Sequence, residues 1–395
     1  MSLLNEYINK SFGPIELENE LLRLIGEYNK LRSTCLLVYA AAAEKQIPFV
    51  SLLQSDFYTI RDLLSRQIPT HKTVDVYIET PGGSGETAEE IVRFLHSKFQ
   101  KVSFVVAGEA KSAGTIMVLG GNEILMTETG SLGPIDAQIR VGRSVVSARD
   151  YFDWVRDKSK EAAKSKVLNP FDATIVAQIT PGELNQALHA LEFAKDLVVE
   201  WLPKYKFADW KVTETRGRSV TEKMKSQRAR KIANSLTKRK RWRTHGRSIK
   251  IQELESDEIG LKITHVDDNA ELAEIVYKIQ TVCRLLFDNT ASFKIFATDK
   301  HKIFRQATKE VNRPMIVPPQ VGAVNIEQKC PKCGKNYKIY AKLADDPNID
   351  RAFKEQGLTP FPKEGRIQCS CGFEIDLLGI KNQIEIEMGR KLITD

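Results

Sequence analysis

Two short stretches hold the residue types that could act on a carbonyl group. In "GEAKSAGT", residues 108–115, the hydroxyl of Ser112 stands between Lys111 and an Ala-Gly pair, directly after the apolar run "VSFVVA". A serine placed just past a strand and at the start of a helix can present its oxygen as a nucleophile. The amide of Ala113 behind it can then donate to a negative oxygen. The small neighbours Ala110, Ala113 and Gly114 allow such a turn to be sharp. The mechanics resemble a nucleophile elbow, although Ala110 stands where G-x-S-x-G has its first glycine. The second stretch, "YIETPGGSGETAEEI", sets Gly82 and Gly83 after a strand and before a helix. Amides there can approach a ligand without side-chain obstruction. The spacing matches neither G-x-G-x-x-G nor G-x-x-x-x-G-K-[ST], so it is not a nucleotide fingerprint. Each stretch alone also reads as a plain turn; together they could supply a nucleophile and both donors of an oxyanion hole.

A third group of residues suits metal chemistry. Six cysteines are present, and four fall near the C-terminal end as "CPKCG" (Cys330, Cys333) and "CSCG" (Cys369, Cys371), a C-x2-C and a C-x-C separated by thirty-five residues. A glycine after each pair permits a tight knuckle whose thiolates face one tetrahedral ion. Zinc is the expected metal, and with all four positions filled it would be structural. Cys35 and Cys283 stand alone in apolar surroundings and read as packing residues.

The elements that must position these residues follow from periodicity. Residues 1–30 read as helical, because "IELENELLRLIGEYNKL" repeats apolar residues at steps of three and four. "STCLLVYAAA", "TVDVYIET", "KVSFVVAG" and "NEILMT" read as strands. "DFYTIRDLLSRQ", "ETAEEIVRFLHSKF" and "SAGTIMVLGG" lie between them as helices. Alternation of this kind predicts an α/β fold with a parallel sheet covered by helices. From about residue 147 to 310 the pattern reads as largely helical, with "PGELNQALHALEFAKDLVVEWL" its most regular part. "VNRPMIVPPQVGAV" reads as a linker. In the tail, "NYKIYAKL" and "EIDLLGIKNQIEIEM" alternate as strands of a small ribbon would. The expected organisation is a helical segment over 1–30, a main domain with a helical extension over 31–310, a linker over 311–327 and a zinc ribbon over 328–395.

Composition excludes some classes. With 42% hydrophobic and 28% charged residues in a chain of 395, there is material for a real core. The longest apolar run, "CLLVYAAAA", is too short for a membrane helix, and the start lacks the pattern of a secretory signal. A cytoplasmic, non-membrane protein is expected. The net charge of +8 is unevenly spread, because "KMKSQRARKIANSLTKRKRWRTHGR", residues 223–247, holds many Lys and Arg and hardly any acids. Such a run could meet nucleic acid, or be the solvated face of a helix pair.

The combination "VDVYIETPGGSGETAEEI" with "VSFVVAGEAKSAGTIMVLGGNEILMTETGSLGPIDAQI" resembles the ClpP/crotonase superfamily. It is most similar to the SppA-like branch and the serine dehydrogenase proteinases. "RKIANSL", "RWRTHGRSIKIQEL" and "EIGLKIT" carry the likeness on, so that it spans roughly residues 15–290. The resemblance implies a serine peptidase in which Ser112 is acylated, while the amides of Gly82 or Gly83 and of Ala113 hold the oxyanion. It also implies a homo-oligomer and peptide or protein substrates; the sequence carries no ATPase motif, so unfolding of large substrates would need a separate ATPase partner.

The resemblance leaves the base open. Where ClpP-like enzymes place a histidine, this chain reads "GSLGPIDAQI", which offers Asp136. An aspartate with a pKa near 3.9 is a weak base unless burial raises it. Where SppA-like enzymes place a lysine, "VSARDYFDW" offers Arg149, which stays protonated. Lys158, Lys160 and Lys164 lie farther on, and Lys111 adjoins Ser112 on what should be the opposite strand face. His245 falls within the similar region and could return to the site. The alternative function is a catalytically weak scaffold that binds nucleic acid or a partner protein through residues 223–247 and the ribbon. A third is crotonase-like chemistry on an acyl thioester.

Overall fold

The computed structural model describes residues 3–45, 47–65, 71–141, 144–213, 217–238, 242, 246–307, 322–388 and 390–394. The chain divides into two units, Met1–Ala307 and Thr308–Asp395. In the first, helices α1 (Leu3–Asn9) and α2 (Pro14–Arg32) precede strand β1 (Cys35–Ala41), all seven of whose residues are buried. Helix α3 (Gln54–Ser65), β2 (Thr73–Glu79), α4 (Gly85–Lys98) and β3 (Lys101–Val106) come next. After these come β4 (Glu109–Ala110), α5 (Ala113–Leu119), β5 (Glu123–Met126) and β6 (Ser131–Leu132). A hairpin of β7 (Gln138–Val141) and β8 (Ser144–Ser147) leads into the helices α6 (Ala148–Ser165), α7 (Pro170–Val176), α8 (Pro181–Trp201) and α9 (Glu222–Leu236). The short helix α10 (Ile251–Glu255), β9 (Thr264–His265), α11 (Ala270–Asn289), β10 (Ser292–Ala297) and β11 (Lys302–Gln306) complete the unit.

The main sheet has seven strands in the order β11-β10-β1-β2-β3-β5-β9. The five from β1 to β9 run parallel, and β10 and β11 add antiparallel strands beside β1. The fold is therefore mixed α/β, and the expected all-parallel sheet is corrected at this edge. Period-two alternation sorts the buried side chains. Leu37, Val76, Phe104 and Ile124 join one core beneath α3, α4, α5, α8 and α9, and Leu36, Val38, Tyr77 and Val105 join another beneath α2 and α11.

The helical reading of 147–310 also needs correction. β10 and β11 lie in that span, and β10 is buried along its whole length. Lys294 interrupts its apolar run and hides it from a hydrophobicity reading. In the structure Lys294 is itself fully buried, donating to Asp56 Oδ2 at 2.6 Å and to the Ser51 carbonyl at 2.7 Å. Helix α2 packs on the sheet in one of the two cores, so residues 1–30 belong to the same unit as the strands. Of the expected linker, 311–327, residues 311–321 lie outside the described residues.

In the second unit, β12 (Ala323–Lys329) and β13 (Asn336–Lys342) form an antiparallel pair, helix α12 (Pro347–Glu355) comes after them, and β14 (Thr359–Pro360) joins β13 in parallel. A separate hairpin of β15 (Arg366–Gln368) and β16 (Glu374–Asp376) precedes helix α13 (Leu378–Met388). The strand-like reading of 374–388 thus holds only for its first three residues. The Asp376 carboxylate accepts from the Leu378 amide at 2.8 Å and starts a helix, and Ile380, Ile384 and Met388, spaced by four, pack on the small core.

Candidate functional site

Both candidate turns lie beyond the C-terminal ends of parallel strands, and backbone hydrogen bonds tie them together. The Thr80 amide donates to the Glu109 carbonyl at 2.7 Å, and the Lys111 amide donates to the Thr80 carbonyl at 3.0 Å. The loop after β2 is thereby sewn to the loop after β3. Thr115 secures the second loop from below, its hydroxyl donating to the Ala110 carbonyl at 2.8 Å and accepting from the Gly133 amide at 3.0 Å. On the other side, the Leu52 amide donates to the Gly82 carbonyl at 2.7 Å, and the Ser84 amide donates to the Leu52 carbonyl at 3.0 Å.

This stitching brings Gly82, Gly83, Ser112, Ala113 and Asp136 to the wall of one cavity of about 310 Å3. Ser112 has φ 50° and ψ −115°, a backbone setting sparsely populated by residues with a side chain. Gly82, at φ 96°, packs so closely that a Cβ there would lie 2.7 Å from the Ser112 Cβ. Gly83, at φ 152°, leaves even less room, since a Cβ would meet the Leu52 carbonyl oxygen at 2.4 Å. These are the physical reasons for two consecutive glycines.

The amides at the cavity differ in availability. The Gly82 amide donates to the Thr80 hydroxyl at 3.2 Å. Among the described residues, the amides of Gly83 and Ala113 have no acceptor. Of the two glycines read from the sequence, Gly83 is thus the one with a donor to spare. The remaining wall is largely apolar. Ile116 and Ile135 form part of it, and α8 closes it with Ala190, Phe193 and Ala194.

Two titratable side chains line the cavity, Asp136 and Glu86. Asp136 is buried and accepts a hydrogen bond at 2.7 Å from Ser147, the residue that also caps α6. Glu86 accepts from Ser84 at 2.9 Å and is exposed. The other base candidates are elsewhere. The buried Lys111 turns along Gly133 and donates to the Ser248 hydroxyl at 2.7 Å, with Glu109 at 3.5 Å. Burial pushes its ammonium pKa down, and Glu109 opposes that shift. Lys158 is held charged by Asp172 at 2.6 Å and Glu161 at 3.0 Å. Lys160 faces Asp157, and neither Lys164 nor Arg149 lines the cavity. His245 lies outside the described residues. Its neighbour in sequence, Ile249, does return to the site region, pairing with Leu132. Sequence reasoning missed Thr80, Thr115 and Leu52, which position the turns through bonds that carry no local signal.

The cysteine cluster lies in the second unit. The sulfurs of Cys330, Cys333, Cys369 and Cys371 all fall within 4.8 Å of one another, with Cys330 to Cys371 at 3.7 Å and Cys333 to Cys369 at 3.5 Å. Four thiolates about 2.3 Å from one zinc ion would stand roughly 3.8 Å apart in a tetrahedron, so the residues fit that ion. Tight turns present them. The Gly334 amide donates to the Cys330 carbonyl, and the Gly372 amide donates to the Cys369 carbonyl.

Residues 19–214 match the family described as ClpP-like SDH-type serine proteinase. Two uncharacterized proteins of Methanocaldococcus jannaschii are similar over 123 residues. One is 29% identical, covering 30% of this chain and 42% of its own length, and the other is 31% identical, covering 31% and 39%. The chain spans about two fifths of the length of these curated relatives. Among solved structures, a mutant of the 1510-N membrane-bound stomatin-specific protease aligns with 57% of this chain and 79% of its own. Its sequence identity is 13% and its TM-score 0.32, too low to define a shared fold. Among the described residues, no helix is long and apolar enough to cross a membrane.

Proposed function

We propose, from the match of residues 19–214 to the ClpP-like SDH-type serine proteinase family, that this serine-type hydrolase cleaves peptide bonds through an acyl-enzyme on Ser112. The observation that carries the reading is the shared cavity in which Ser112, on its strained backbone, meets the glycine turn. In the proposed sequence the Ser112 oxygen attacks the scissile carbonyl carbon while its proton passes to Asp136. The amides of Gly83 and Ala113 donate to the developing oxyanion. Collapse breaks the C–N bond, the proton moves to the leaving amine, and water then releases the acyl group by the same steps in reverse roles. The ClpP/crotonase-like architecture of the parallel strands is part of this proposal.

The apolar wall of Ile116, Ile135 and Phe193 supports a preference for an apolar substrate side chain. The cysteine cluster would hold a structural zinc, which supplies cross-linking to a small core and no chemistry at the cavity.

Labelling of the full chain with a fluorophosphonate probe tests the nucleophile. Modification should map to Ser112 and vanish in Ser112→Ala. Equal labelling of that variant, or an unreactive parent protein, would sink the assignment. Asp136→Asn should lower kcat at least 100-fold with KM nearly unchanged; a kcat within threefold of the parent would exclude Asp136 as the proton acceptor.

A further inference from the structure

A second cavity, of about 720 Å3, opens where α8 ends. The helix gives way there to one π-helical turn, Leu202–Lys206, closed by the Phe207 amide donating to the Leu202 carbonyl at 2.8 Å. Such turns are rare and recur at functional sites, since the wider loop moves a side chain out of helical register. This one carries Lys206 to the cavity wall.

Arg228 and Lys231 of α9 and Lys262 line the same cavity, against a single carboxylate, Asp209. Gly260 makes room for the Arg228 guanidinium, which a Cβ at that position would meet at 2.3 Å. Lys231 donates to the Asp257 carbonyl at 2.6 Å. Among the described residues, Lys206 and Arg228 have no hydrogen-bond acceptor. Cations partly withdrawn from water without a hydrogen-bonded partner are costly, and a bound anion lowers that cost. Lys206 registers it: burial pulls its pKa down to about 8 even though Glu123 attracts its charge.

Two aromatic side chains, Phe207 and Trp210, join Met224, Thr213 and Gln227 in the rest of the wall. Phe207 and Trp210 meet edge to face with ring centroids 5.6 Å apart, and Trp210 is half-buried at the cavity. Planar rings stack on such side chains, and the cavity volume is that of a small-molecule site.

We propose that this cavity binds a small phosphate ester bearing a planar ring, a mononucleotide being the simplest example, with its phosphate at Lys206 and Arg228 and its ring at Trp210. The site is separate from the Ser112 cavity and does not depend on the peptidase reading.

Calorimetric titration of the full chain with adenosine monophosphate, adenosine, inorganic phosphate and an acidic peptide tests it. The nucleotide should bind saturably, and adenosine and inorganic phosphate at least tenfold more weakly. Lys206→Met, which keeps the apolar stem, and Trp210→Ala should each weaken nucleotide binding tenfold or more. Ser112→Ala should leave it unchanged, and unaltered thermal melting of each variant shows that it has folded. Affinity should fall as pH rises through about 8, where Lys206 loses its proton in the field of Glu123, Lys101, Lys262 and Glu255. No saturable nucleotide binding, equal affinity for inorganic phosphate, tighter binding of the acidic peptide, or full affinity in Lys206→Met would overturn the proposal.

Discussion

At the scale of single residues, the glycine turn is the most constrained part of the cavity. Gly83 combines a left-handed φ of 152° with contact to the Leu52 backbone, which cannot retreat as a flexible side chain would. Gly83→Ala should therefore destabilise the protein by about 2–4 kcal/mol, measurable by chemical denaturation. A cost under 0.5 kcal/mol would show that the loop relaxes. The glycines, the serine and the small residues around it were legible in the sequence because each answers to a local steric demand. Which glycine keeps a free amide was not legible, since it turns on the Thr80 hydroxyl folding back onto Gly82.

Elements hold those residues in place through charges that a hydrophobicity reading cannot interpret. Lys294 of β10 and Asp56 of α3 form an ion pair that is fully buried on both sides. Asp56 also accepts from Tyr39 of β1 and from the Leu53 amide, and Lys294 reaches the carbonyl of Ser51, a residue of the Ser112 cavity. Lys294→Met leaves the buried Asp56 carboxylate with the more distant Arg305, at 3.9 Å, as its counter-charge and should cost about 3–5 kcal/mol of stability by denaturant titration.

Glu123, at the start of β5, ties three other elements together. It accepts from Lys101 at 2.8 Å, Thr264 at 3.1 Å and Arg32 at 3.3 Å. Burial alone pushes its carboxyl pKa up, but Lys101, Arg32 and Thr264 together bring it to about 2. A pKa lowered in the folded state gives stability that is complete above the usual glutamate value of 4.5 and is lost as pH falls through about 2. Glu123→Gln should cost about 2 kcal/mol at pH 7, after allowance for solvent screening, and the gap to the parent should narrow steadily below pH 4.5. A gap independent of pH would assign the effect to packing instead.

At the scale of the whole molecule, the two units draw on different sources of stability. The first buries two large cores on either side of its sheet, whereas the second has one small core that includes Cys330 and Cys369. A small core of that kind depends on a cross-link. Elemental analysis should find about one zinc per chain. Removing it with a strong chelator should make residues 322–394 sensitive to protease while the hydrolysis proposed for Ser112 persists. Loss of hydrolysis in step with the metal would contradict a purely structural role.

By itself the sequence determined the alternating strands and helices from Cys35 to Met126, the sharp turns at Gly82 and Ser112, and the four-cysteine set. Apolar period, backbone freedom and thiol spacing are properties of neighbouring residues. Only the tertiary structure decided that the two turns share a cavity, that Lys111 points to Ser248, and that β10 with its buried lysine joins the sheet beside β1. Those outcomes rest on backbone pairing and charge burial between segments far apart in the chain, such as the Thr80–Glu109 bond and the Asp56–Lys294 pair, and local pattern does not encode which distant partner will be met.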